Sequence, residues 1–172
     1  TTESVTIGTI SRLVKQKNLP LLLETFEIFS KKVKLPSRLV IVGNGPLKGD
    51  LQSFARKLCI EDSINWLGQT QDVTKIYQSI DVFVLTSDYE GFGNVLIEAM
   101  ALGTPALSTD CPSGPREIFI NDMEDSLVKC GDAKALAKKM REFYSKPQNI
   151  NKESLKRFEA TTITKEYLEL IP

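Results

Sequence analysis

The chain of 172 residues contains no histidine. This absence excludes a Ser-His-Asp triad, a Cys-His catalytic pair, a histidine-ligated zinc ion and a histidine general base within the chain. The three cysteines, Cys59, Cys111 and Cys130, show no CxxC spacing, so the sequence indicates neither a disulfide framework nor a zinc site. Reduced thiols of a cytoplasmic protein fit this pattern better.

Long apolar runs are also missing, since no segment approaches the roughly 18 apolar residues that a membrane-spanning helix needs. The chain begins at Thr1 without a leader pattern, and we expect it to be a piece of a longer cytoplasmic protein. Lys and Arg together number 22, as do Asp and Glu, so the formal net charge is zero. This balance removes the main electrostatic argument for a nucleic-acid or membrane-surface partner.

What the sequence does contain is a regular alternation of apolar runs and helical patterns. The apolar runs predict strands over residues 5–10, 38–42, 63–67, 81–85, 104–107 and 125–128. The helical patterns predict helices over residues 21–33, 48–58, 72–79, 94–102, 115–120, 133–144 and 152–170. Asn18 is predicted to cap the first of these helices. Such alternation implies right-handed crossovers. The predicted fold class is therefore α/β: one Rossmann-like, doubly wound domain over residues 1–172, with a mostly parallel six-stranded sheet and helices on both faces.

In a sheet of this kind, ligands bind outside the carboxyl ends of the strands. The loop after the first strand carries Arg12 and Lys17, which are either ordinary exposed loop residues or a pair suited to a diphosphate. The segment Gly43-Asn44-Gly45 after the second strand allows either a tight turn or close approach to a nucleotide base. No GxGxxG fingerprint follows the first strand, which counts against a dinucleotide site.

The strongest pattern is the segment SDYEGFGNVLIE over residues 87–98. Glu90 follows a buried strand, and Gly91 and Gly93 allow the backbone to pass close to a ligand. Asn94 is predicted to cap the next helix, whose free N–H groups and positive dipole end favour a phosphate.

Glu98 lies about one turn into that helix, among residues that are otherwise apolar. A carboxylate in apolar surroundings is costly unless it accepts hydrogen bonds. Vicinal ribose hydroxyls would donate two such bonds. A glutamate on the solvent-facing side of the helix is the alternative.

Residues 90–98, EGFGNVLIE, match the E-x7-E signature of the retaining family 4 (group 1) glycosyltransferases with the GT-B fold. Further stretches resemble the same family in the same order along the chain: 8–17 (GTISRLVKQK), 39–47 (LVIVGNGPL), 66–68 (WLG) and 99–105 (AMALGTP). The resemblance covers essentially the whole chain, and several motifs in series are more specific than any one of them.

The resemblance implies the C-terminal, donor-binding half of a GT-B fold, with an N-terminal acceptor-binding domain outside the chain. It assigns the donor diphosphate to Arg12 and Lys17, the donor sugar to Glu90 and the ribose to Glu98, with Arg12, Lys17 and Glu90 as the catalytic residues. The implied binding residues are Arg12, Lys17, Gly43, Asn44, Gly45, Glu90, Gly91, Phe92, Gly93, Asn94, Val95 and Glu98.

The implied reaction is transfer of a hexose or N-acetylhexosamine, with retention, from a nucleotide sugar to a glycan or lipid-linked acceptor in surface-polysaccharide biosynthesis. A UDP-sugar is favoured as the donor. No cofactor and no divalent metal are expected, because Arg, Lys and a helix dipole offset the charge of the leaving group. Peripheral attachment at the inner face of the cytoplasmic membrane is an option through the second domain. We expect the isolated chain to bind donor weakly and to transfer nothing.

Residues 110–117 look like a subgroup version of the family's G-x-x-E loop, in which Glu117 either contacts the donor or caps a helix or pairs with Arg116. Cys111 is expected to be a bystander. The apolar stripe of the last predicted helix packs either on this domain or on the missing one. Three other functions stay open: a non-catalytic nucleotide-sugar-binding or docking subunit, an epimerase of the same architecture, and an NAD-dependent enzyme, which the missing glycine fingerprint disfavours.

Overall fold

A computed structural model of the chain describes residues 4–70, 72–146, 150 and 155–158. Its strands are β1 Val5–Ile10, β2 Ser37–Val42, β3 Ile64–Leu67, β4 Val82–Leu85, β5 Ala106–Thr109 and β6 Leu127–Val128. Its α-helices are α1 Leu19–Ser30, α2 Lys48–Lys57, α3 Val73–Ser79, α4 Asn94–Ala101, α5 Pro115–Ile118 and α6 Ala133–Ser145. Short 3-10 turns lie at Lys15–Lys17, Glu61–Ser63, Asn121–Ser126 and Lys156–Phe158.

The six strands form one sheet in the order β3-β2-β1-β4-β5-β6, and every pair of neighbours is parallel. This confirms the predicted Rossmann-like α/β sheet. From β1 the chain winds outward in one direction to β3, and it then returns beside β1 to form β4. The strand order therefore reverses between β1 and β4, which is where doubly wound sheets bind their ligands.

Alternate residues of each strand belong to two separate hydrophobic cores, one on each face of the sheet. In β4, Val82 and Val84 join the cluster that contains α1, α2 and α6, whereas Phe83 and Leu85 join the cluster of α3, α4 and α5. All four of these side chains are buried, because helices cover both faces. This double coverage explains why the strands are continuous apolar runs rather than alternating ones.

Three side chains cap helices from just outside their first turns. Asn18 has a left-handed backbone (φ 42°), and its side chain accepts a hydrogen bond from the Leu21 N–H, as the sequence predicted for α1. Asp72 and Asp132 accept in the same way from the third residues of α3 and α6. These caps fix where the helices begin.

Two strands have bounds that differ from the predicted ones. Strand β5 begins at Ala106 instead of residue 104, because Thr104 ends the α4 turn: its N–H bonds to the Ala99 carbonyl and its hydroxyl to the Tyr77 carbonyl. Strand β6 is confined to two residues, because Asn121–Ser126 forms 3-10 turns. The helix predicted over residues 152–170 lies outside the described residues, apart from the short turn at 155–158.

Among the described residues, no helix has the length and the hydropathy that a bilayer-spanning segment needs.

Gly43 offers a test of how closely the loops after β1 and β2 pack. Its φ is +133°, and a Cβ atom added there would lie 1.9 Å from the Ser11 carbonyl oxygen. We expect Gly43→Ala to lower the free energy of unfolding by about 2 kcal/mol or more, since both the backbone and the neighbouring loop would have to shift.

The matched control is Gly49→Ala in α2, where a Cβ atom meets nothing within 4 Å. It should raise the free energy of unfolding by up to about 1 kcal/mol, because alanine favours a helix. Urea unfolding measures both changes. Equal stability of Gly43→Ala and the parent chain would contradict the close packing of the loops.

Candidate functional site

The candidate site lies at the carboxyl ends of the strands, where the strand order reverses. A cleft of about 670 Å³ opens there between the ends of β1 and β2 and the first turns of α3 and α4. It is lined by Ile10, Ser11, Arg12, Val42, Gly43, Asn44, Gln69, Thr70, Val73 and Val95. The cleft therefore includes four of the residues that the sequence analysis singled out.

Arg12 is exposed at the edge of this cleft. Among the described residues, its guanidinium has neither a hydrogen-bond nor an ion-pair partner. A guanidinium presents several donors in a fixed plane that matches phosphate oxygens. Arg12 is thus placed where it would meet an anion in the cleft.

Lys17 and Glu90 lie next to each other, although they are 73 positions apart in the chain. The Nζ atom of Lys17 is 2.5 Å from Oε1 of Glu90, and the two side chains are only 16% and 8% exposed. The hydroxyl of Ser87 donates to the same carboxylate oxygen at 2.5 Å. Sequence reasoning assigned Lys17 and Glu90 to different parts of a ligand, whereas the structure pairs them with each other.

The loop after β1 and the loop after β4 are joined beyond this ion pair. Because β1 and β4 are neighbours, the two loops leave the sheet side by side. Four hydrogen bonds link them: Asp88 N–H to the Gln16 carbonyl, Gln16 Nε2 to the Tyr89 carbonyl, Asn18 Nδ2 to Asp88 Oδ1, and Thr86 Oγ1 to the Lys17 carbonyl. The loops therefore form one connected rim of the site.

Glu98 is exposed, so it lies on the solvent-facing side of the helix, which is the second of the two alternatives in the sequence analysis. Leu96, Ala99 and Met100 point into the core, so Glu98 falls on the open side of α4. Its Oε2 accepts a hydrogen bond of 2.8 Å from the hydroxyl of Tyr77, which is fully buried. Burial, together with the hydrogen bond to Glu98 and its charge, raises the pKa of Tyr77 well above the usual range, so the hydroxyl stays a donor.

The first turn of α4 differs from the prediction in its cap. The N-cap is Gly93, at φ 93°, and Asn94 is the first helical residue. None of the described side chains caps this helix end. A glycine occupies the cap because the backbone is left-handed there. Val95, in the first turn of α4, lines the cleft, so this helix begins beside it.

In the loop after β2, the neighbouring loop leaves no room for a side chain at two glycine positions. Added Cβ atoms at Gly43 and Gly45 would lie 1.9 and 2.5 Å from the carbonyl oxygens of Ser11 and Leu13. The backbone that approaches these glycines is thus that of the neighbouring loop, and Asn44 accepts the Leu13 N–H at its carbonyl. An added Cβ at Gly91 meets nothing within 4 Å.

The loop before α5 supports Phe92 from behind. A Cβ atom at Gly114 would lie 2.4 Å from the Phe92 carbonyl oxygen, so the two backbones touch. Glu117 accepts the Gly114 N–H, which is the capping alternative for that residue. Arg116 instead pairs with Asp110 through two hydrogen bonds of 2.5 and 2.6 Å, and this pairing lowers the pKa of the Asp110 carboxyl.

The described end of the chain also reaches Phe92. The ring of Phe158 meets that of Phe92 edge-on, with centroids 5.6 Å apart. Arg157 donates to the carbonyls of Glu117 and Ile118, and its guanidinium lies 4.3 Å from the centre of the Phe158 ring. Residues 155–158 thus pack on this domain beside the loop that carries Glu90.

Cys111 is buried, and burial raises the pKa of its thiol to about 11. The thiol is therefore protonated at neutral pH and is a poor nucleophile. No group of three metal-ligating side chains occurs within the described parts of the chain.

The sequence analysis missed Tyr77 and Ser87, which donate to the two glutamates. Tyr77 lies 21 positions before Glu98, in a different helix. Ser87 lies three positions before Glu90, inside the segment that was singled out, but the pattern gave its hydroxyl no role. In both cases the contact depends on the path of the chain between the two residues.

A family model described as "Glycosyl transferases group 1" matches residues 1–163. The chain belongs to this family. An α-1,4-N-acetyl-D-galactosaminyltransferase of Campylobacter jejuni, named for a GalNAc-containing diphospho-undecaprenol substrate, is 30% identical over 168 residues, which are 94% of this chain and 46% of that protein. An uncharacterized glycosyltransferase of Methanocaldococcus jannaschii is 36% identical over 117 residues, or 68% of this chain and 29% of that protein.

Two solved structures share the fold of this chain. TarM superposes with a TM-score of 0.82 at 27% identity, covering 96% of this chain and 34% of TarM. The apo lipopolysaccharide outer core galactosyltransferase WaaB superposes with a TM-score of 0.82 at 25% identity, covering 95% of this chain and 47% of WaaB. The chain thus spans less than half the length of each of these four proteins.

The hydrogen bond from Tyr77 to Glu98 leads to a titration test. The sequence has four tyrosines, and a tyrosine of ordinary pKa ionises near pH 10. Because the pKa of Tyr77 is raised far above that value, we expect Tyr77→Phe to leave the near-ultraviolet absorbance change of tyrosinate formation unchanged up to about pH 11. Far-ultraviolet circular dichroism defines the pH range over which the chain stays folded. If the absorbance change of Tyr77→Phe is smaller than that of the parent chain by the amount that one tyrosine contributes, the raised pKa of Tyr77 is contradicted.

Proposed function

We propose that this group 1 glycosyltransferase chain is a donor-binding domain that holds a nucleotide diphosphate sugar, with a UDP-sugar favoured, for transfer with retention of configuration. One observation carries the proposal. At the point where the strand order reverses, the exposed guanidinium of Arg12, the first turn of α4 and the carboxylate of Glu98 lie around one end of the sheet. This combination offers positive charge for a diphosphate and an acceptor for the hydroxyls of a ribose.

The diphosphate would lie between Arg12 and the N-terminal turn of α4. Backbone N–H groups and the positive end of the helix dipole favour phosphate oxygens. Glu98, one turn further along α4, would accept the two ribose hydroxyls. Its Oε2 already accepts the Tyr77 hydroxyl, and this bond fixes the orientation of the carboxylate while leaving it able to accept further hydrogen bonds.

Glu90 would accept a hydrogen bond from a hydroxyl of the donor sugar. A bare carboxylate beside a diphosphate would be repelled by it. Lys17 offsets the charge of Glu90 through their ion pair, so the carboxylate can remain near the phosphates. The same ammonium would also lie close enough to a diphosphate to share its charge with the leaving group.

In the proposed reaction, the acceptor hydroxyl attacks the anomeric carbon from the face that the nucleoside diphosphate leaves. The leaving phosphate takes the proton of that hydroxyl. Arg12, Lys17 and the α4 dipole stabilise the negative charge that develops on the leaving group. This scheme places the charge stabilisation on residues of the chain itself and assigns no role to a divalent metal.

The acceptor side of the reaction is proposed from the relatives. The Campylobacter jejuni enzyme is named for a lipid-linked glycan and WaaB for the lipopolysaccharide outer core. A glycan or lipid-linked acceptor is thus the proposed class, and a second, acceptor-binding domain would be needed to hold it. The chain by itself would bind donor without transferring sugar.

The preference for UDP rests on likeness of fold. A mutant of S. aureus TarM in a complex that contains UDP superposes with a TM-score of 0.86 at 24% identity. A binding measurement therefore has to identify first which nucleotide base the chain prefers.

Calorimetric titration of the chain with UDP, GDP and ADP tests the proposal. We expect UDP to bind best, and Glu98→Ala to weaken it by about ten- to a hundredfold, because a charge-assisted pair of hydrogen bonds is lost. Glu24→Ala is the matched control, since Glu24 is an exposed glutamate on α1.

If GDP binds more tightly than UDP, the choice of UDP is overturned, but the proposed donor-binding site stands. If none of the three nucleotides binds at millimolar concentration, the chain does not form a donor site by itself. Equal UDP affinity of Glu98→Ala and the parent chain would overturn the ribose role of Glu98.

Arg12→Ala should weaken UDP by about tenfold and leave the binding of uridine unchanged, because its proposed partner is the diphosphate. The loss should shrink as the salt concentration rises, since salt screens an exposed charge. Arg38→Ala is the control: Arg38 is exposed near the start of β2, at the other end of the strands. An Arg12→Ala chain that binds UDP as the parent does would contradict this assignment.

A further inference from the structure

Ser87 is a buried hydroxyl directly behind Glu90. It lies two residues past the end of β4 and is fully buried. Its Oγ donates to Oε1 of Glu90 at 2.5 Å, and its carbonyl accepts the hydroxyl of Thr109 at 2.6 Å. Thr109 is the last residue of β5 and is also buried. Ser87 is therefore fixed by the ends of two neighbouring strands rather than by the loop.

The partner of Glu90 is held from the same strand end. Thr86, which is buried, donates its hydroxyl to the backbone carbonyl of Lys17 at 2.9 Å. Consecutive side chains after β4 thus contact the two members of the ion pair, one through its backbone and the other through its carboxylate. The position of the pair relative to the sheet is set by these two hydroxyls.

Both donors to Glu90 converge on a single oxygen atom. Lys17 Nζ and Ser87 Oγ each lie 2.5 Å from Oε1. Among the described residues, Oε2 of Glu90 has no hydrogen-bond partner. The side chain of Glu90 is only 8% exposed. Its open acceptor is therefore the single atom Oε2, in a nearly enclosed position.

We propose that Ser87 is a positioning residue that holds Oε1 of Glu90 and so presents Oε2 to one hydroxyl of the donor sugar. This inference rests on the proposed function of the site. Without the Ser87 hydroxyl, the carboxylate is free to rotate about its last side-chain bond and to place both oxygens on the Lys17 ammonium. Oε2 would then be turned away from the sugar, while the nucleotide would still bind through Arg12, α4 and Glu98.

The test compares the affinity for UDP with the affinity for a UDP-sugar. The probes are UDP-glucose, UDP-galactose, UDP-N-acetylglucosamine and UDP-N-acetylgalactosamine, and the one that binds the parent chain most tightly is used further. The ratio of its affinity to that of UDP measures the contribution of the sugar. We expect Ser87→Ala to reduce this ratio by about five- to tenfold with the UDP affinity unchanged.

Two further variants separate positioning from packing. Ser108→Ala is the matched control, because Ser108 is a fully buried serine on β5 whose hydroxyl bonds only to the Thr109 carbonyl among the described residues. Ser87→Cys keeps nearly the same side-chain volume with a weaker donor, so it should show the same loss of the ratio. Ser87→Cys replaces Ser87→Ala in the test if the alanine variant fails to fold. Ser87→Thr, which restores a hydroxyl, should recover the ratio.

A double-mutant cycle with Glu90→Ala identifies the path of the effect. If Ser87 acts through Glu90, adding Ser87→Ala to Glu90→Ala changes the ratio no further. A purely structural serine would lower the affinities for UDP and UDP-sugar alike, and its effect would persist in the Glu90→Ala background. Either of those results would overturn the inference.

The inference and the proposed function fail in different ways. If Glu90→Ala removes the sugar contribution and both Ser87→Ala and Ser87→Cys retain it, the role of Ser87 is overturned and the donor site stands. If the parent chain binds UDP-sugars no more tightly than UDP, the sugar role of Glu90 is overturned together with that of Ser87. If the parent chain binds neither UDP nor the UDP-sugars, the proposed function itself fails.

Discussion

The ion pair between Lys17 and Glu90 joins the two loops that diverge where the strand order reverses. Strands β1 and β4 are neighbours, but the chain leaves them toward opposite edges of the sheet. An attraction between partly buried charges is screened less by salt than one at the surface. Loss of either partner would leave a charge that is nearly enclosed and unpaired, which is strongly unfavourable. Together with the four hydrogen bonds between the same loops, the ion pair keeps them side by side.

The two halves of the sheet supply different chemistry to the site. The β1 loop provides the cations Arg12 and Lys17, whereas the segment from β4 into α4 provides the carboxylates Glu90 and Glu98 and a helix N-terminus. In the proposed function, the two cations and the helix N-terminus would hold the phosphates of a nucleotide sugar, and the two carboxylates would accept its hydroxyl groups. Lys17 connects the halves, because it belongs to the first and is bound by a carboxylate of the second.

Apart from Lys17, the described side chains that donate to the two glutamates are buried hydroxyls. Tyr77 donates to Glu98, and Ser87 donates to Glu90. Neutral donors fix the direction of a carboxylate without cancelling its charge, so the group remains an acceptor for a ligand. Gly114 packs on the backbone of Phe92 and Phe158 packs on its ring, and both contacts support the loop that carries Glu90.

The sequence by itself determined the family, a mostly parallel six-stranded sheet and the loops that carry the candidate site. Strand and helix periods, the Asn18 cap and the spacing of Glu90 and Glu98 are local properties, and they are legible because neighbouring residues decide them. Local patterns also misplaced the start of β5 and the cap of α4, where Thr104 bonds to Tyr77 and Gly93 takes a left-handed backbone. Only the tertiary structure decided that Lys17 pairs with Glu90 and that Tyr77 reaches an exposed Glu98. The first of these contacts requires β1 and β4 to lie side by side, and the second requires α3 and α4 to share one face. No single segment of the sequence specifies these contacts, because the order of the strands in the sheet decides which loops and helices become neighbours.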